Sequence, residues 1–149
     1  MEDFAVVCLE RKKDAEVLLK LKDHNIAALH LGGISIECRL KALLTVYHQI
    51  SEWNQKSRRE KDSMFDQQIK NPEHGLITAL RHMPHLYQLA KSNRQFLEHL
   101  SRISHPLGAS NVDYIGLRYI AQASSVQRDE WKKSFDYVHG WLEKNEVNI

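Results

Sequence analysis

Hydrophobic residues are most densely patterned between Leu29 and Leu44, LHLGGISIECRLKALL, where they recur at helical spacing around a narrow polar stripe. At about 100° per residue, His30, Glu37, Lys41 and His48 share one wedge, and Leu29, Ile36, Leu40, Leu43 and Tyr47 form an apolar stripe beside it. Small residues (Gly32, Gly33, Ser35, Cys38 and Ala42) occupy much of the remainder, which predicts close approach of another backbone. The pattern predicts a central helix from Ile26 to about Trp53, some 40 Å long. Glu37 and Lys41 stand at i and i+4 within it, so their burial requires pairing or a bound ligand.

The flanking segments are helical in period as well. Phe4, Val7, Cys8, Ala15, Leu18 and Leu19 predict a first helix from about Asp3 to Leu21, its charged face holding Arg11, Lys12, Lys13 and Lys22, and Asp23-His24-Asn25 ends it. The run Lys56 to Asp62 reads as a solvated helix end and loop, with a phosphate-facing patch as the alternative. Asn71-Pro72-Glu73 predicts the start of a third helix that turns Leu76, Ile77, Leu80, Met83, Tyr87 and Ala90 inward and is kinked or interrupted at Pro84. A capping box at Ser92 to Gln95 leads into Phe96, Leu97, Leu100 and Ile103, either a separate helix or a bent continuation. His105 to Asn111 is a loop, and Tyr114 to Ile120 is a short apolar segment, either a helical turn or two or an extended strip. A second capping box at Ser124 to Gln127 opens the last helix, whose buried stripe is Trp131, Phe135, Val138 and Leu142. The expected fold is all-α: one domain over residues 1–149, an up-and-down bundle of four to five antiparallel helices.

Composition narrows the function classes. Hydrophobic residues at 42% and charged residues at 27% are those of a folded globular chain, and six Gly with three Pro lack the punctuation of a sandwich or barrel. A formal net charge of +2 is too small to announce nucleic-acid binding by itself. Cys8 and Cys38, lying in apolar helical patterns without CxxC spacing, read as reduced core thiols. The start Met1-Glu2-Asp3-Phe4 has no basic leader and no stretch of about 18 apolar residues occurs, so the expected location is cytoplasmic, with no membrane contact.

Several chemistries are excluded by motif. Gly32-Gly33 stands alone inside a helical pattern, without the preceding strand of a phosphate-binding loop, and HExxH is absent. His30 and His48 are about 27 Å apart along the helix axis, and Lys41 shares their stripe, so the stripe is not one metal site. His82 and His85, with His74 earlier, are the remaining metal-ligand candidates; no metal and no cofactor is expected. Arg94 and His99 are the candidate pair for metal-free RNA cleavage, the imidazole moving protons and the guanidinium holding the phosphate. Their spacing of five puts them on different sides of a straight helix. Arg118, between Leu117 and Tyr119, either reaches Glu37 or a bound phosphate, or snorkels to the surface over Tyr119.

The segment Gly32-Gly33-Ile34-Ser35-Ile36-Glu37-Cys38-Arg39-Leu40-Lys41-Ala42, with His74-Gly75-Leu76, Arg118-Tyr119 and Trp141-Leu142 after it, resembles a branch of the HEPN superfamily of helical bundles. Ile34 stands where that branch usually has an aromatic residue, and Gly75 where it has Asp. The resemblance implies a HEPN-like bundle, commonly a homodimer, that binds RNA or a nucleotide, often beside a nucleotidyltransferase partner and in prokaryotic defence or toxin-antitoxin systems. It implies Glu37, Lys41, His74, Arg118 and Tyr119 as ligand-binding or polar-core residues. In members that are metal-independent endoribonucleases, an Arg and a His four to six residues apart are catalytic, which here points to Arg94 and His99. The branch frequently lacks that pair, so a non-catalytic binding module is the leading expectation; the endoribonuclease and a purely structural interaction domain are the alternatives. The long apolar second helix and three Trp add to the expectation of a dimer.

Overall fold

A computed structural model of the chain describes residues 1–147 and 149. It is all-helical, with α1 (Phe4–Leu19), α2 (Asn25–His48), α3 (Leu76–Arg81), α4 (Pro84–Lys91), α5 (Arg94–Ser104) and α6 (Ser125–Glu146), and a 3-10 turn over Gly116–Tyr119. Among the described residues there is no strand, only an isolated antiparallel bridge between Lys56 and Gln68. No helix among them is long and apolar enough to cross a membrane.

Helix α2 is the axis of the fold. It packs along α1 in a helical hairpin and also touches α3, α5, α6 and the 3-10 turn. Its Ala28, Leu29, Ile36, Leu40, Leu44 and Tyr47 join a core completed by Leu80, Phe96, Leu100, Leu117, Trp131 and Phe135. The last helix follows expectation: Ser124 and Gln127 form a reciprocal capping box, and Trp131, Phe135, Val138 and Leu142 are buried. Pro84 divides the predicted third helix and takes the first position of α4, where its missing N–H costs no hydrogen bond.

Four boundaries differ from the sequence pattern. Helix α1 stops at Leu19, and Asp23 takes a left-handed φ of 64° before α2 begins. Helix α2 stops at His48 instead of Trp53, because Gln49 takes a left-handed φ of 54° and turns Ile50 back into the core, with the Ile50 N–H on the Thr45 carbonyl. The Asn71-Pro72-Glu73 start is a turn: Asn71 accepts the Glu73 N–H, Glu73 is left-handed at φ 54°, and the helix begins at Leu76. Asn93, one residue beyond the predicted Ser92, caps α5 by accepting the Phe96 N–H, which makes α5 a separate helix.

Between α2 and α3 the chain is folded rather than loose. Residues 54–69 double back through Asn54 N–H on the Ile69 carbonyl at 2.8 Å and Ile69 N–H on the Gln55 carbonyl at 2.9 Å, with Ile69 buried. The charge run is divided: Lys56, Arg58, Glu60 and Lys61 are exposed, whereas the Arg59 guanidinium lies 3.9 Å from the centre of the Tyr47 ring and Asp62 accepts the Tyr47 hydroxyl.

The small residues of α2 divide their use: Cys38 and Ala42 face α1, which runs closely along the helix, and Gly32 and Gly33 admit aromatic rings. Trp131 lies directly over Gly32, and a Cβ on Gly33 would sit 2.5 Å from the Tyr114 ring. Helix propensity alone makes Gly33→Ala stabilising by about 1 kcal/mol, but displacing the ring costs ~1–3 kcal/mol. Gly33→Ala is therefore expected to lower the free energy of unfolding by up to about 2 kcal/mol in urea titration, and an increase would contradict this packing.

Candidate functional site

The polar stripe of α2 closes on itself. Lys41 Nζ donates to Glu37 Oε1 at 2.6 Å, and His74 Nδ1 and the Tyr114 hydroxyl approach Glu37 Oε2 at 3.0 and 2.5 Å. Both carboxylate oxygens are thus occupied, by groups from α2, from the residues just before α3 and from the segment after α5. The side chains of Glu37 and Lys41 are only 10% and 8% exposed, whereas His74 is 55% exposed and forms the outer edge of the cluster. Burial works against a charged Glu37, but the hydrogen bonds from Lys41, Tyr114 and His74 together outweigh it and hold the carboxyl below its ordinary range. An ionised carboxylate only accepts, so His74 carries its proton on Nδ1. Burial and the Glu37 charge push the Tyr114 hydroxyl far up, so Tyr114 stays a neutral donor. The Phe4 ring covers Lys41, its centroid 5.5 Å from Nζ.

The two histidines of the stripe are structural as well. His30 Nδ1 donates to the Tyr114 carbonyl at 2.7 Å, tying that residue to α2 a second time. His48 Nε2 donates to the His82 carbonyl at 2.5 Å, which leaves Nδ1 to accept the Ser57 hydroxyl at 2.6 Å.

Arg118 does not reach Glu37. It is exposed over the Tyr119 ring at 5.3 Å, because the 3-10 turn points Leu117 into the core and leaves Arg118 and Tyr119 on the outside. Tyr114 takes the expected place. A hydroxyl at the head of an apolar segment was the available signal, since a buried Tyr needs a partner for its O–H.

Arg94 and His99 are not brought together either. Arg94 Nε pairs with Glu98 at 3.0 Å on a side chain 92% exposed, in keeping with the 140° that five residues of helix place between them. His99 faces α6 instead: Nδ1 is 2.9 Å from Ser134 Oγ, and its ring stacks on Tyr137 with centroids 4.3 Å apart. Arg102, one turn further along α5, donates to the same Ser134 Oγ at 3.1 Å. Burial, then the nearby Arg102, lowers the His99 pKa, so its imidazole is neutral at pH 7. Sequence reasoning missed Arg102 because the candidate spacing of five pointed at Arg94.

A further polar chain joins α2 to α6. Arg39 Nη1 donates to His139 Nδ1 at 3.0 Å, His139 Nε2 is 3.3 Å from Ser35 Oγ, and Ser35 donates to the Gly32 carbonyl at 2.7 Å. Arg39 Nη2 also holds Glu146 at 3.2 Å. Burial, with Arg39 and Lys12 adding to it, pushes His139 down to about 3. The metal-ligand candidates are dispersed: His74 lies on Glu37, His82 is beside His48, and among the described residues no three His, Cys, Asp or Glu side chains are placed to hold a metal ion. Cys8 and Cys38 are free, buried thiols, and burial raises both pKa values, Cys38 to about 11.

Compared with known proteins, the chain matches no family model, no curated protein and no solved structure.

Removing one partner of a buried ion pair strands the other charge, at a cost of ~3–5 kcal/mol. Glu37→Ala is expected to lose about that much in denaturant titration, and Glu37→Leu combined with Lys41→Met distinctly less; equal losses would show that the charge pairing is not what matters.

A second expectation concerns acid. His48, His82, His99 and His139 all have folded pKa values below the ordinary 6.5, so the unfolded chain binds protons first as pH falls. Glu37 is held below its ordinary 4.5 and acts in the same direction at lower pH. From neutral pH downward, stability is therefore full to about pH 6.5, declines below it and falls further through about pH 4.5. Thermal unfolding across that range tests this, and His139→Gln should flatten the upper part of the decline; a midpoint constant down to about pH 5 would refute it.

Proposed function

We propose that the chain is a non-catalytic, HEPN-like binding module that recognises RNA or a nucleotide on its surface, with Glu37, Lys41, His74 and Tyr114 as its structural centre. The observation that carries this reading is that neither candidate grouping is arranged for chemistry. Arg94 is paired with Glu98, away from His99, and both oxygens of the Glu37 carboxylate are occupied from within the fold. The outward pair Arg118 and Tyr119 supports surface recognition, because an exposed guanidinium beside an aromatic ring suits a phosphate next to a stacked base. A homodimer, a nucleotidyltransferase partner and a role in prokaryotic defence or toxin-antitoxin systems belong to the same reading, through the resemblance of the α2 motif.

A metal-independent endoribonuclease is the second reading, favoured by one observation: His99 is neutral and shares Ser134 with Arg102, so an imidazole and a guanidinium do stand together.

One experiment separates the two. Purified wild type, Arg94→Ala, His99→Ala, Arg102→Ala and the double variant Arg118→Ala with Tyr119→Ala are incubated with a labelled single-stranded RNA of mixed sequence in EDTA, and both cleavage and fluorescence anisotropy are followed. Binding that weakens with salt, falls in the Arg118 and Tyr119 variant and proceeds without cleavage is the expected result. Cleavage lost in His99→Ala and Arg102→Ala but kept in Arg94→Ala would establish the nuclease on the rearranged pair. Neither binding nor cleavage by a folded wild type would leave a protein-interaction domain.

A further inference from the structure

Between α6 and the α4–α5 junction runs an open groove of about 530 Å³. Tyr137 and Trp141 line it one helical turn apart, about 6 Å along the axis, and both are half-buried. One face of each ring is engaged on α5, Tyr137 on His99 with centroids 4.3 Å apart and Trp141 on Phe96 at 3.9 Å. Rings held in this way are a preset platform, because binding to them costs little further rotamer freedom.

Gly140 lines the groove beside Trp141. Gly32 and Gly33 are required by the rings packed on them, but a Cβ on Gly140 would meet nothing within 4 Å. Packing therefore does not call for a glycine here, inside a helix of 22 residues where alanine is the better former. Its effect is to lower the floor of the groove next to the two rings, so that a flat ligand meets helix backbone and aromatic surface together.

The polar groups around this platform decide what fits it. Asp136 and Lys144 are the charged side chains lining the groove, and their charges cancel, which gives no preference to a phosphate or another multiply charged group. Donors and acceptors are both on offer. Lys144 is exposed with three N–H groups, and the Tyr137 hydroxyl accepts from Asn93 Nδ2 at 3.2 Å, so its own hydrogen is available to donate. Asn145 spends its Nδ2 on the Trp141 carbonyl at 2.8 Å and keeps Oδ1 as an acceptor. Asp136 holds Lys132 at 2.8 Å, but these side chains are 61% and 56% exposed, and such a surface pair is exchanged at little cost. A matching ligand is neutral, carries hydroxyls that both donate and accept, and lays a flat C–H face on rings whose own faces are negative. A pyranose sugar has all three properties, whereas a nucleobase has the flat face without the hydroxyls.

We propose that this groove is a saccharide site for a neutral β-1,4-linked disaccharide, one pyranose on Tyr137 and the next on Trp141, with Gly140 as the floor and Asp136, Lys144 and Asn145 as hydroxyl partners. The β-1,4 linkage keeps successive rings extended and in line, as the run of Tyr137 and Trp141 along one helix requires. Neither Arg118 nor Tyr119 lines the groove, and the site does not rest on the binding-module reading.

The test is calorimetric titration of the purified chain with cellobiose, N,N′-diacetylchitobiose, maltose and adenosine, each to about 20 mM, with tryptophan fluorescence followed in parallel. At least one of the two β-1,4-linked disaccharides is expected to bind saturably with a Kd of about 0.1–5 mM, at least about fivefold tighter than α-linked maltose or adenosine. Gly140→Leu should remove this binding while raising the thermal midpoint, since its Cβ meets nothing in the chain and leucine is the better helix former. Asp136→Ala should weaken binding at least about threefold through the lost hydroxyl partner. Trp141→Ala should abolish it too, and because that change also unseats Phe96, Gly140→Leu is the deciding variant if circular dichroism shows the fold disturbed. A wild type that binds neither β-1,4-linked disaccharide overturns the proposal. Binding that Gly140→Leu leaves intact lies elsewhere and overturns it equally, as does maltose or adenosine binding as tightly as the better of the two.

Discussion

A buried carboxylate on the central helix is the constraint on which the rest of the fold depends. Glu37 is almost sealed from water, and an ionised carboxylate there requires compensation at both oxygens. Lys41 is one turn away on the same helix, but the other oxygen is served from far along the chain, by His74 and Tyr114. A charge that α2 cannot satisfy alone therefore sets where the chain enters α3 and where it passes after α5. Tyr114 carries most of this constraint: its ring fills the space over Gly33, its carbonyl accepts from His30 and its hydroxyl closes Glu37. Packing and polar satisfaction thus specify the same position, the kind of agreement between levels that favours one structure over its competitors.

The same logic repeats at the seams between helices, with histidine as the connector. His139 accepts from Arg39 and reaches Ser35, joining α6 to α2; His99 meets Ser134, joining α5 to α6; His48 bridges Ser57 and the His82 carbonyl, anchoring the connection after α2. A neutral imidazole suits this work, because one nitrogen donates and the other accepts, and burial keeps it neutral. Nine His in a chain of this length suggest metal binding or proton transfer on composition alone, but those at the seams are occupied by structural bonds.

What was legible in the sequence is what local chemistry decides. The α2 stripe, the capping box at Ser124, the break at Pro84 and the buried face of α6 follow from periodicity, caps and a missing N–H, all of which act within one or two turns. The misses have a common cause in backbone geometry that residue type only weakly specifies. Gln49, Asn54, Asp66 and Glu73 all take left-handed φ in the connection from α2 to α3, and no glycine marks any of them. The exchange of Arg118 for Tyr114 turns on the phase of a short 3-10 turn, where a shift of one residue decides which side chain faces inward. The Arg94 and His99 spacing was compatible with a bend, and the straight course of α5 rules the pairing out within one chain.

The candidate site was therefore legible in its residues but not in its use. Glu37, Lys41 and His74 do converge, yet convergence of polar groups is equally the mark of a binding site and of a satisfied core. The distinction lies in whether the fold itself engages the acceptor, and for Glu37 it does at both oxygens, with one bond on Oε1 and two on Oε2. A ligand entering that cluster would first have to displace His74 or Tyr114, giving up bonds that hold the fold. Under the binding-module proposal, recognition falls to groups that the fold leaves exposed, such as Arg118 with Tyr119. Gly32 and Gly33 express the same logic, accommodating the rings that the chain must bury.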